Sequence, residues 1–340
     1  MRLLVVLFFA SSIFIYAQNP PSQTTSTTTT HHPRWKKKPA SSEGSGPAGT
    51  VFDPNSPDNS CSPTDNFQLL CALPYTGRPR QIDQSCGHCG NAEQSSMSAQ
   101  EVLAEEWQNF QKNNLCAEQP QPPTLIATAG LKELQALVDA IPGFKYGNPH
   151  GSSSGPPPDR SKLRDLPALS SGKTLHEGDL VTFVGYLVEE HYSPPSASSA
   201  GESVNCVFSD HANVDIHIAL SDTKVPFDPK ASAAVRDPIL CQTASAEMIP
   251  HSRPETWEVT DLESVSDRQV KVTGQLFFDG SHHPCGPKHG KSDPSRIASW
   301  EIHPIYEFQV CKTSSSPCKD SDWETIDQAL QESKSPVEEP

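Results

Sequence analysis

Apolar residues fall on every second position along several stretches of the C-terminal half of the chain. Val270, Val272, Gly274, Leu276 and Phe278 share one side while Lys271, Thr273 and Gln275 share the other, which is the period of a strand with one buried face. Val214, Ile216, Ile218 and Leu220 repeat the pattern, as do Ala298, Trp300, Ile302, Tyr306, Phe308 and Val310. Leu180 to Val188 is apolar on both faces, and Ser203 to Phe208 adds a fifth short run. Between the third and fourth of these strands, Glu255 to Val265 is suited to a helix. Upstream the period changes. Leu103, Trp107 and Phe110, then Leu131, Leu134, Val138 and Ile141, recur at helical spacing and predict two amphipathic helices.

These elements predict a mainly β protein whose chief unit, residues 173–312, is a five-stranded OB-like β-barrel, because five strands with a helix after the third match that Greek-key order. An immunoglobulin-like sandwich needs about seven strands and is the weaker match. The two helices belong to a small Cys-rich subdomain over 61–146, held by bridges more than by its own core. Residues 147–172, with Ser152 to Ser154 and Pro156 to Pro158, have the composition of a linker. Residues 18–60 are Pro, Ser, Thr and Gly with little to bury, a disordered stalk. In the tail, 313–340, Ser321-Asp322-Trp323-Glu324 has the capping-box pattern of a short helix running to Leu330.

The first residues say where such a protein goes. Met1-Arg2, an apolar run from Leu3 to Tyr16, and Ala17 follow the order of a secretory signal peptide, 1–17, cut after Ala17. The run is shorter than the roughly 20 apolar residues that cross a bilayer, so a secreted or periplasmic protein with no membrane span is expected. Ten cysteines in an exported chain imply disulfides, although spacing alone does not give their pairing. The formal charge of −15 repels polyanions and weighs against nucleic acid, whose binding rests on Lys and Arg meeting phosphates. A neutral, cationic or metal ligand fits better. Its identity and the oligomeric state are not written in the sequence.

Several motifs carry chemistry. Cys86-Gly87-His88-Cys89 has the spacing of thiol–disulfide exchange, but it does not follow a strand and open a helix, so structural cystines are the plainer reading. Gly151-Ser152-Ser153-Ser154-Gly155 matches a nucleophile elbow only by composition, since it lies in the linker. His282-His283-Pro284-Cys285 lies in the loop between the last two strands, where OB-like folds hold ligands. Cys285 is expected to bridge to Cys311 or Cys241. The loop from His191 to Glu202 is the other such place. Most informative are Asp215-Ile216-His217 and Glu301-Ile302-His303. In each, acid and imidazole stand two apart on one side of a strand, opposite the apolar set. If the two strands are neighbours, Asp215, His217, Glu301 and His303 meet on one outer patch, flanked by His191 and His282. These are ligand types for a divalent metal such as zinc and also the parts of an acid–base pair. The plainer alternative is a wet strand face.

Gly201-Glu202-Ser203-Val204-Asn205-Cys206, Asp215-Ile216-His217-Ile218, Thr273-Gly274-Gln275-Leu276-Phe277-Phe278-Asp279 and Trp300-Glu301-Ile302-His303-Pro304 resemble segments of an uncharacterised family of secreted bacterial proteins. Lys112-Asn113-Asn114-Leu115-Cys116-Ala117 is similar to its upstream segment, so the resemblance covers about 82–312. It implies export and a shared architecture, not a mechanism. The expected function is a ligand- or metal-binding OB-like module. The alternative is a metal-assisted or His-based hydrolase, and thiol exchange through Cys86 and Cys89 is a lesser one.

Overall fold

The computed structural model describes residues 82, 86, 89–91, 99–113, 122–144, 160–164, 166–194, 201–254, 257–286, 295–314 and 316–334. The expected signal peptide and stalk lie outside these residues, as do 147–159 of the expected linker and 335–340 of the tail. The chain is mixed α/β rather than mainly β. Seven strands form one mixed sheet: β1 (Thr124–Ile126), β2 (Leu180–Ser193), β3 (Asp215–Ser221), β4 (Ala244–Met248), β5 (Val270–Phe278), β6 (Trp300–Cys311) and β7 (Trp323–Thr325). Their order is β1-β2-β3-β4-β6-β5, with β7 on β6, and β5 also pairs with β2, so the sheet partly closes in a ring. The β1–β2 and β4–β6 pairs are parallel and the others antiparallel.

One of the five expected strands is reassigned. Ser203–Asn205 is a turn of 3-10 helix, and β4 fills the missing place. Ala244, Ala246 and Met248 of β4 do alternate inward, but Ala and Glu disfavour strands, so propensity hides it. The expected helix after the third strand is α4 (Val259–Glu263), between β4 and β5. The other α-helices with full bounds among the described residues are α1 (Ala99–Lys112), α2 (Thr128–Asp139), α3 (Ala233–Leu240) and α5 (Ile326–Lys334). In the tail the chain first adds β7 and only then turns into α5.

Strand β1 and helix α2 share the sheet's core instead of building one of their own. β1 pairs Thr124 to Ile126 with Val181 to Phe183 of β2. Helix α2 buries Leu131, Leu134 and Val138 in the cluster that holds Phe183, Ile216, Val272, Trp300 and Ile302. Burying each such side chain contributes about 1.5–3 kcal/mol. Three disulfides, Cys86–Cys206, Cys241–Cys285 and Cys311–Cys318, staple the described residues. The first spans 120 residues and ties the approach to α1 to the loop after β2. No helix among the described residues is long and apolar enough to cross a membrane.

Candidate metal centre

The register of the sheet lines up one polar row. His191 of β2 stands opposite His217 of β3, and His217 opposite Glu247 of β4. Ser245 pairs with Glu301 of β6, which sets Glu247 beside His303. Asp215 and His303 extend the row, because side chains two apart share a face. Strand β6 is held at this point by a close approach to β5. A Cβ at Gly274 would stand 2.3 Å from the Pro304 carbonyl oxygen, so a side chain there would push His303-Pro304 away.

The row is not an outer, wet patch as the sequence suggested. Helix α1 covers it, and the stripe it turns inward is polar: Glu105, Gln108, Asn109 and Lys112 are buried, while Trp107 and Phe110 are only half-buried. Gln275 joins helix to strand by donating to the Gln111 carbonyl at 2.7 Å and the His303 carbonyl at 2.8 Å. Lys112 Nζ lies 3.3 Å from Glu202 Oε2 and 3.9 Å from Glu247 Oε2. His217 Nε2 lies 3.1 Å from Glu202 Oε1 and 3.3 Å from Glu247 Oε2. The same Glu247 oxygen is 2.8 Å from His303 Nδ1, and Glu301 Oε1 is 3.5 Å from that nitrogen.

A second tier orients the first. Arg296 reaches Glu301 Oε2 and Asp279 Oδ2, each at 2.7 Å, and His282 Nδ1 sits 2.6 Å from Asp279 Oδ2. Gln108 of α1 accepts from the Gly280 amide at 3.1 Å. Arg160 bridges Glu177 and the Phe278 carbonyl.

Charge is concentrated here. Glu202, Asp215, Glu247, Asp279 and Glu301 face two permanent cations, Lys112 and Arg296, so three negative charges must be met by protons or by a metal. Burial opposes every charge, and at four of the six titrating groups the neighbours outweigh it. Glu247 and Glu202 lift His217 to about 9, and Glu247 and Glu301 lift His303 to about 10. Lys112 and His217 hold Glu202 well below the usual carboxylate range. His217, Lys112 and His303 do the same for Glu247. Burial dominates at Asp215 and raises it to about 7 against the pull of His303. His191 goes the other way, to about 4, through burial and the cation on His217.

Several of these atoms are left over. Both Asp215 oxygens, Glu247 Oε2, Glu301 Oε1, His217 Nε2 and both His303 nitrogens are buried without a hydrogen-bond partner of acceptable geometry. One donor atom from each of Glu202, Asp215, His217 and Glu247 lies within 4.8 Å of the others, and the same holds for Glu247, Glu301 and His303. Donors about 2.0–2.1 Å from a tetrahedral zinc stand about 3.3 Å from one another. The 3.1 and 3.3 Å separations around His217 are of that size, and the donor types suit the ion.

Of the residues expected from the sequence, Asp215, His217, Glu301 and His303 come together, but not because their strands are neighbours. β4 lies between them and supplies Glu247, the residue they share. His191 flanks the row, its ring centroid 5.4 Å from that of His217, and His282 acts at one remove through Asp279. Lys112, Glu202, Glu247, Asp279 and Arg296 were not singled out. Cys86 is bridged to Cys206, and Cys89 is also in a disulfide. The pair therefore does not form a Cys-x-x-Cys bridge. Of the two partners expected for Cys285, Cys241 is the one bonded. Comparison with known protein families, with curated proteins and with solved structures finds no match.

Proposed function

We propose that this chain is an exported, OB-like module that holds a divalent transition metal, zinc being the best fit, on Glu202, Asp215, His217 and Glu247. One observation carries the reading. Four donors from three places in the chain converge within 4.8 Å, and the most deeply buried of them, Asp215, has neither oxygen hydrogen-bonded. A buried carboxylate with no hydrogen bond is costly, and a metal relieves that cost directly. The ring β2-β3-β4-β6-β5, with α4 after its third strand, supports the OB-like reading. The disulfides support an oxidising compartment.

Lys112 is then a charge-balancing neighbour and Arg296 an orienting one. Metal content of the mature protein decides the matter, purified from an oxidising compartment without a histidine tag and measured before and after chelation. At least one equivalent of metal, reduced in His217→Ala and in Asp215→Asn, is expected. Absence of metal after incubation with zinc and desalting would leave the cluster a set of internal ion pairs.

Hydrolysis is the second reading, favoured by the part-exposed side chains of Glu202 and His217, 28% and 18% accessible. An ion at that mouth can keep a water and lower its pKa. Turnover of generic ester or phosphodiester probes by the zinc-loaded protein, lost in His217→Ala, is the expected sign. Loaded protein without turnover is a binding module.

A further inference from the structure

We infer that the centre takes a second divalent ion, enclosed beneath the first, on Glu301, His303 and the shared carboxylate of Glu247; this rests on the metal reading above. The three donors lie within 4.8 Å of one another; Glu301 Oε1 stands 3.5 Å from His303 Nδ1, a ligand-to-ligand spacing, while Glu247 at 2.8 Å from that nitrogen is an ion pair that an ion would open slightly. Two wholly buried side chains carry atoms without a hydrogen bond here: Oε1 of Glu301, which faces His303 Nδ1 across 3.5 Å, and the ring nitrogens of His303, of which Nδ1 is turned to Glu247. Glu301 is divided in its work. Its Oε2 is taken by Arg296 at 2.7 Å, and Arg296 is fixed in turn by Asp279 at 2.7 Å, so Oε1 alone is turned toward His303. A carboxylate held this way by an outer partner is the arrangement that orients metal ligands.

Glu247 belongs to both donor groups, and its oxygen lies between the two imidazoles, 3.3 Å from His217 and 2.8 Å from His303. A carboxylate so placed bridges a pair of ions, which in two-metal sites stand about 3.5–4 Å apart. The two positions differ in access. The outer one opens past Glu202 and His217. The inner one is shut by the Phe277 ring, 5.5 Å from the His303 ring, by Arg296, and by α1 through Gln275. The inner ion is therefore the structural one and the outer ion the exchangeable one.

The test is zinc stoichiometry on the full mature protein, loaded and desalted, with chelator-driven release followed in time. Two equivalents are expected, the second leaving at least tenfold more slowly than the first. His303→Gln should keep one fast-leaving equivalent, His217→Ala one slow-leaving equivalent, and Glu247→Gln neither. Circular dichroism of each variant separates loss of metal from loss of fold, and the wild-type count decides even if a variant unfolds. One equivalent in the wild type, retained in His303→Gln, overturns the inner site and leaves the metal reading standing. None overturns both.

Discussion

Helices α1 and α2 are close in length and both cover the sheet, but they are buried by opposite rules. α2 lays Leu131, Leu134 and Val138 into the apolar core, where attraction is non-directional and roughly proportional to area. α1 lays Glu105, Gln108, Asn109 and Lys112 over a row of acids and imidazoles, where every atom needs a particular partner at a particular distance. An apolar interface tolerates small misfits. A charged one loses several kcal/mol when a single member is removed, because its partner stays behind without water.

Four changes probe that contrast. Arg296→Met strands the carboxylates of Asp279 and Glu301, both almost fully buried, and is expected to cost about 3–5 kcal/mol in urea unfolding. Leu134→Ala, which leaves a cavity under α2, is expected to cost about 2–5 kcal/mol with no change in how stability depends on pH. Lys112→Met separates stability from binding. It destabilises the metal-free protein by about 1–3 kcal/mol, yet it removes an ammonium 3.3 Å from a Glu202 oxygen. Like charges about 4 Å apart repel by more than 1.4 kcal/mol at an effective dielectric of about 20, so zinc affinity by competition should rise at least about tenfold.

The gentlest probe is pH on the chelated protein. His217 and His303 are raised from 6.5 to about 9 and about 10, so their stabilisation is complete below pH 6.5 and is lost as pH climbs through those values. Glu202 and Glu247 are depressed below 4.5, so theirs is present above 4.5 and is lost as pH falls below it. Asp215, raised from 3.8 to about 7, favours the folded state only while protonated, so its contribution is lost as pH rises from about 3.8 through 7 and draws the optimum toward its acid end. Melting temperature should peak between about 4.5 and 6.5 and fall on both sides. His303→Gln flattens the alkaline limb, and zinc, which displaces the protons, moves the peak upward.

The same contrast explains what could be read from the chain alone. Period-two alternation found β3, β5 and β6, and period 3.6 found α2, because in each an apolar set marks the buried side. It found α1 as well but not the side it buries: Trp107 and Phe110 set the period, and the inward stripe is Glu105, Gln108, Asn109 and Lys112. No hydrophobic signal distinguishes a polar stripe facing a partner from one facing water. The paired acid-x-His motifs identified four of the six donors of the centre because they are local. Glu247 was missed because its strand, Ala244 to Met248, is built of residues that do not favour strands. Lys112 and Arg296 were missed because their meaning comes entirely from segments distant in sequence.

The polar underside of α1 also bears on how the chain is made. Synthesis proceeds at about 5–20 residues per second, and Glu202, which meets Lys112, lies 90 residues further on. For those seconds the helix has nothing to close over. A helix whose waiting surface is Glu, Gln, Asn and Lys stays hydrated and offers no sticky patch to other chains, whereas the Leu131 to Val138 stripe of α2 does. Shelter beside α2 can begin earlier, since Ile126 next to it pairs with Phe183 of β2. A helix that meets its acid only 90 residues later thus waits safely in water.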